Sequence, residues 1–265
     1  MHEYPDLWPE TVRALIVHTA EWTSEMKPTP DLWGTRKSTM RDLVRKFGFG
    51  VPNVSRASAS AANSVTLITQ DTIRPFRLVE GEVKTNEMIF YSLPWPKAVL
   101  LQYPAETAEL RVTLSYFIEP NPGPKIVNDR YRYASCGLRF DLKRQTESLQ
   151  DFRKRINKAL HDGQPVRSET DSDQRLLGSD LRHHGSIHSD RWRGTAAELA
   201  EKDFIGVYPV NGWWRLRKFL GRYDSTLHFG LVVTISLPEQ EIDLYTEIAT
   251  QIGAPIAVEI PTSTA

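Results

Sequence analysis

Leu110-Arg111-Val112-Thr113-Leu114-Ser115-Tyr116-Phe117-Ile118 decides how this chain is read. Leu110, Val112, Leu114, Tyr116 and Ile118 alternate with Arg111, Thr113, Ser115 and Phe117. Successive side chains of a strand point to opposite faces, so one row meets a core and the other faces solvent. The same pattern recurs on both sides. Leu138, Phe140 and Leu142 alternate with Arg139, Asp141 and Lys143. Leu227, Phe229, Leu231, Val233, Ile235 and Leu237 form one face of a long strand. Shorter extended runs occupy 65–68, 76–79 and 88–91. Strands separated by Pro, Gly and Asn turns predict an antiparallel β-sandwich. Val210-Asn211-Gly212-Trp213 carries the dipeptide of a two-residue hairpin turn.

The flanks and insertions are helical. Pro9 fits a first helical turn, where its missing N–H costs nothing. Val12, Leu15, Ile16, Thr19 and Ala20 then share one helical face, with Glu10, Arg13 and Glu21 elsewhere. Pro28 and Pro30 end that pattern. A second helix is predicted from Ser38 as N-cap, with Met40, Leu43, Val44 and Phe47 as its apolar face and Gly48 as C-terminal cap. Residues 48–53 form a tight loop, and an Ala/Ser-rich helix follows over 54–62. Leu149, Phe152, Ile156, Ala159 and Leu160 give a further helix, capped by Thr146 or Ser148. Thr195-Ala196-Ala197-Glu198 is a capping box. Residues 161–190 are polar and aperiodic, which predicts a long mobile loop.

Composition narrows the function. The 265 residues carry 33 basic and 33 acidic side chains, with 40% hydrophobic and 25% charged residues. That is an ordinary globular balance. Zero formal charge argues against nucleic acid and membrane surfaces as partners. One cysteine, Cys136, excludes an internal disulfide. The N-terminus lacks a basic segment followed by an apolar one, and no apolar run reaches the roughly 20 residues of a membrane span. A cytoplasmic location is expected.

Five features invite a chemical reading. His183, His184 and His188, with Asp180 and Asp190, suggest a metal site, but Gly185 and Ser186 disfavour the helix that would align them. A solvated loop is the expectation there. Cys136 lacks a local base and reads as a small core residue. His18 reads as structural. Trp213, Trp214 and Trp192 offer an aromatic binding face, with at least one of the first two directed into the core. The run Arg215-Leu216-Arg217-Lys218 reads as a charged strand edge.

Several segments carry a resemblance. Pro5-Asp6-Leu7-Trp8-Pro9-Glu10-Thr11-Val12-Arg13-Ala14-Leu15-Ile16-Val17-His18-Thr19-Ala20-Glu21-Trp22 resembles the stretch that follows the serine-bearing helix in subtilisin-like serine peptidases. Phe47-Gly48-Phe49-Gly50-Val51-Pro52-Asn53 resembles the turn that closes their peptidase domain. Further segments resemble a bacterial subgroup with a β-rich C-terminal extension. They are Glu109 through Pro122, Arg132-Tyr133-Ala134-Ser135 with Gly137-Leu138-Arg139-Phe140-Asp141, Trp192 through Ala200, and Val207 through Trp214.

The resemblance implies residues 1–62 as a helical remnant of the peptidase domain. It implies 63–265 as a jelly-roll-like β-sandwich with helical insertions. It also implies proteolysis as the family activity, and two partners: an N-terminal peptidase fragment and an AAA-type ATPase, which members of the subgroup often have encoded beside them. Subtilase chemistry needs an Asp, a His and a Ser, the last in Gly-Thr-Ser-x-Ala. Gly34-Thr35-Arg36 and Gly194-Thr195-Ala196 both lack that serine, and no Gly-x-Ser-x-Gly elbow is present. The chain alone is therefore expected to be non-catalytic, with no catalytic, cofactor-binding or metal-binding residue assigned. A stand-alone binding module and half of a split peptidase are the rival expectations. Exposure of the Val12/Leu15/Ile16 face is the feature that separates them.

Overall fold

The computed structural model describes residues 6–53, 65–93, 95–122, 133–162, 174–237 and 256–259. The helix expected over 54–62 and the proposed boundary at 62/63 lie outside them, as does 163–173 of the expected loop. Two four-stranded antiparallel sheets dominate. The first has the order β1 (Val65–Ile73), β9 (Leu227–Ser236), β5 (Thr107–Tyr116), β7 (Ile187–Thr195). The second has the order β10 (Ile256–Glu259), β4 (Glu87–Ser92), β8 (Phe204–Val210), β6 (Gly137–Leu142). A small hairpin, β2 (Phe76–Val79) with β3 (Glu82–Thr85), stands apart.

The alternating rows become the core. Leu110, Val112, Leu114 and Tyr116 of β5 pack in one cluster with Leu138, Phe140 and Leu142 of β6. Phe229, Leu231, Val233 and Ile235 of β9 join them, with Ile205 and Val207 of β8. The protein is thus mixed α/β, with antiparallel sheets sharing one apolar interior.

The opposite faces do not meet solvent as the alternation predicts. Thr113 and Ser115 are wholly buried, because α1 (Pro9–His18) lies across β5 and β9. Thr11, Ala14, Leu15 and His18 are its buried residues. That face is rotated by about one residue from the Val12/Leu15/Ile16 face, since 100° separates neighbours on a helix. The cause lies in the sheet. Gly230 lets the helix backbone approach so closely that an added Cβ would stand 2.5 Å from Thr11 Cα. Threonine and serine hydroxyls beside it favour polar side chains from above. Val12 is half-buried, Leu15 covered, and Ile16 48% exposed.

Three further helices follow along the chain. α2 (Lys37–Phe47) buries Met40 and Leu43 against Trp22, Leu32, Leu176 and Leu177. Lys37, not Ser38, begins it, and Arg36 holds the capping position without a side-chain bond. α3 (Lys97–Gln102) is a short helix that the periodicity does not predict. α4 (Leu149–Asp162) covers the outer face of the second sheet, where Phe152 and Ile156 meet Met88, Phe90 and Tyr208. Ser148 caps it by accepting the Asp151 N–H at 3.1 Å.

The expected loop over 161–190 is corrected in its second half. Residues 179–182 form α5 (Ser179–Arg182), and β7 starts at Ile187. Leu176, Leu177, Arg182, His188, Ser189 and Asp190 are all buried. The capping box stands at α6 (Ala196–Glu201): Thr195 Oγ1 accepts the Glu198 N–H, and Glu198 Oε2 accepts the Thr195 N–H.

The hairpin at Asn211-Gly212 is also corrected. The chain turns there into α7 (Trp213–Leu216), followed by 3₁₀ turns at Lys218–Leu220 and Arg222–Asp224. Gly212 has an extended φ of −148° and lies against backbone, where a Cβ would stand 2.2 Å from Ser135 O. Glycine serves close approach here, not positive φ. The strand edge expected at 215–218 is accordingly helical. Among the described residues, no helix is long and apolar enough to cross a membrane.

Candidate functional site

The imidazole of His18 lies between α1 and the first sheet. Its Nδ1 bonds Thr113 Oγ1 at 2.9 Å and its Nε2 bonds Thr234 Oγ1 at 2.7 Å. Burial, then Arg111 and Arg191, push its pKa well below the usual value, so the ring is neutral. Around it, Arg13 donates to Ser115 Oγ at 2.8 Å and to the Tyr116 carbonyl at 2.5 Å. Gln70 Oε1 accepts the Trp8 N–H and the Thr11 hydroxyl at the start of the helix. At its end Arg111 donates to the Val17 and Ala20 carbonyls and pairs with Glu21, which also pairs with Arg191. These contacts fasten α1 to the sheet.

Cys136 is fully buried, and its thiol donates to backbone carbonyls. Burial raises its pKa, which leaves it an un-ionised thiol. Trp192, Trp213 and Trp214 are all buried, at 0%, 1% and 3% exposure. The candidate aromatic face is therefore core, with both Trp213 and Trp214 directed inward. Their indole N–H groups donate to Gln174, the Glu119 carbonyl and the Glu119 carboxylate.

The histidines of the 183–188 segment separate by environment. His188 is buried, contrary to the solvated-loop expectation. Its Nδ1–H donates to the Arg182 carbonyl, which leaves Nε2 to accept the Tyr116 hydroxyl at 3.0 Å. Burial lowers its pKa to about 4. His183 Nε2 accepts from Arg182 Nε at 3.2 Å, so its proton is on Nδ1. Burial first, then Arg182 and Arg139, push its pKa down, and the ring is neutral. His184 is exposed. Among the described residues, no three His, Cys, Asp or Glu side chains gather as a metal site would require.

A buried ionic frame holds this segment. Asp190 accepts the N–H groups of Leu177 and Gly178 at 2.8 and 3.1 Å and pairs with Arg182. Arg182 also reaches Asp141, which Arg155 binds at 2.6 Å. Polar burial of this kind is tolerable only when each charge is paired and hydrogen-bonded.

Beside the frame opens a cleft of about 830 Å³, within the usual range for ligand pockets. Tyr116, Ile118, Leu138 and Val210 give it apolar walls, and Tyr133 is an exposed aromatic at its lining. Arg139 on β6 and Arg41 on α2 bring guanidinium groups to it, with His183 and Asp180 on the α5 side. Neither arginine makes a hydrogen bond or ion pair among the described residues. Tyr116 donates to His188, and burial raises its own pKa, so it is no activated nucleophile. The cleft offers hydrogen-bond donors and positive charge, which suits binding.

The alternation of β6 assigns Arg139 to an outward row and gives no hint of the cleft. No local signal marks Arg41. No family model, curated protein or solved structure matches the chain.

Proposed function

We propose that the chain is the C-terminal, non-catalytic portion of a subtilisin-like serine endopeptidase. Its two sheets form a jelly-roll-like β-sandwich that supports the peptidase domain or presents a partner to it. The observation that carries this reading is the seating of α1. The segment that resembles the stretch after the serine-bearing helix is clasped to the first sheet by Arg13, His18, Gln70 and Arg111. Its other side keeps Ile16 exposed and Val12 half-covered. A helix held from one side with apolar surface left on the other suits a connector between two bodies. The remaining segments of the resemblance supply β5, β6, β7 with α6, and β8.

That same exposure favours a second reading, a split peptidase whose N-terminal fragment supplies Asp, His and Ser. The binding-module reading loses its aromatic face, because all three tryptophans are buried.

A fluorophosphonate active-site probe tests the proposal. The chain alone is expected to take no label and to leave casein uncut. Labelling of this chain, abolished by substitution of one of its own serines, would overturn the non-catalytic reading. Label that appears only on a co-expressed fragment bearing Gly-Thr-Ser-x-Ala would favour the split form.

A further inference from the structure

We propose that the cleft between β6, α2 and α5 binds a carboxylate carried on an apolar group, with Arg139 as the principal anchor. The inference is independent of the peptidase reading. Arg139 is half-buried on β6, yet its guanidinium has no hydrogen-bond or ion-pair partner among the described residues. The arginines of the neighbouring buried frame are committed to carboxylates. Arg182 is paired with Asp190 and Asp141, and Arg155 with Asp141 and Glu147. A half-desolvated cation left unpaired is costly, and a ligand anion would relieve that cost. Guanidinium geometry matches a carboxylate, which accepts two parallel N–H bonds.

Three features narrow the ligand. Arg41 adds a second guanidinium and Asp180 subtracts one charge, so the lining carries a net charge near +1 and suits a monoanion. His183 is neutral with its proton on Nδ1, which provides a donor but no further charge. Ile118, Leu138 and Val210 form the apolar part of the wall. Together they describe an apolar body ending in one carboxylate. Two sources share that chemistry: the C-terminus of a peptide with an apolar last residue, and a small free apolar acid.

Fluorescence anisotropy on the full chain tests this with a labelled tetrapeptide ending in leucine, as free acid and as amide. The acid is expected to bind and the amide to bind at least tenfold more weakly. Arg139→Gln should weaken the acid at least tenfold while leaving circular dichroism and melting temperature unchanged. Arg41→Gln, on an exposed helical position, should weaken it by a smaller factor and guards against an Arg139 variant that fails to fold. Isocaproate as competitor distinguishes the sources. Displacement at concentrations similar to the peptide's assigns the site to free acids, and displacement only at far higher ones assigns it to peptide termini. Equal binding of acid and amide, unchanged binding by Arg139→Gln, no binding at millimolar peptide, or equal competition by inorganic phosphate would each overturn the proposal.

Discussion

Replacing Gly230 with alanine should lift α1 from the sheet. The new Cβ would stand 2.5 Å from Thr11 Cα, 2.7 Å from its nitrogen and 2.8 Å from its Oγ1. Carbon contacts are comfortable at about 3.5–4.0 Å, so the helix must rise by roughly 1 Å. Two of the three atoms are backbone, and no rotamer change relieves them. Overpacking of this kind costs about 1–3 kcal/mol. Raising the helix also uncovers Leu15 and Ala14 where they meet Val232. Full burial of a leucine contributes about 1.5–3 kcal/mol, part of which is lost. The expected destabilisation is about 2–4 kcal/mol. Urea unfolding measures it, and hydrogen exchange at residues 12–18 shows whether the helix is the part that loosens. Gly137→Ala is the control: its nearest contact would be 3.5 Å, which is ordinary, so its effect should stay within about 0.5 kcal/mol. A Gly230→Ala protein as stable as the parent, with α1 still protected, would refute the account of how the helix is seated.

Three other outcomes follow from the same physics. Thr195→Ala removes the acceptor of the Glu198 N–H and should cost about 1 kcal/mol in urea unfolding; no loss would mean that the capping box is not formed. His188 is neutral in the fold because its pKa is lowered to about 4, below the ordinary 6.5, so the unfolded chain binds the proton first. Stability is then complete above about pH 6.5 and falls as pH drops towards about 4, by at most about 3 kcal/mol from this group. A His188 ring resonance that titrates near 6.5 in the folded protein would contradict this. Cys136 should ignore Ellman's reagent in the folded chain and react as one thiol in denaturant, and rapid native labelling would show that it is not buried.

The strands legible from sequence are those with one apolar face, such as β5, β6 and β9. β7 is hidden because its buried positions include His188, Ser189 and Asp190, whose partners come from elsewhere in the chain: Tyr116, Thr113 and the amides of Leu177 and Gly178. Hydropathy cannot see a polar side chain that tertiary structure will satisfy. β8 is hidden for the opposite reason. Residues 205–209 are buried in succession, since the second sheet is covered by the core on one side and α4 on the other, and period two disappears. The helical spacing of α1 is visible, but the orientation of its buried face depends on Gly230, more than 200 positions away in sequence. The cleft is illegible for the same reason: Arg41, Arg139 and His183 are brought together only by folding.

The proposed kinship with a subtilisin-like serine endopeptidase would place the Asp, His and Ser motifs on a segment encoded ahead of this chain. Sequencing the DNA immediately upstream of the Met1 codon tests it most directly. Asp and His motifs followed by Gly-Thr-Ser-x-Ala are expected there, in frame or displaced by a frameshift. An unrelated upstream region would contradict it.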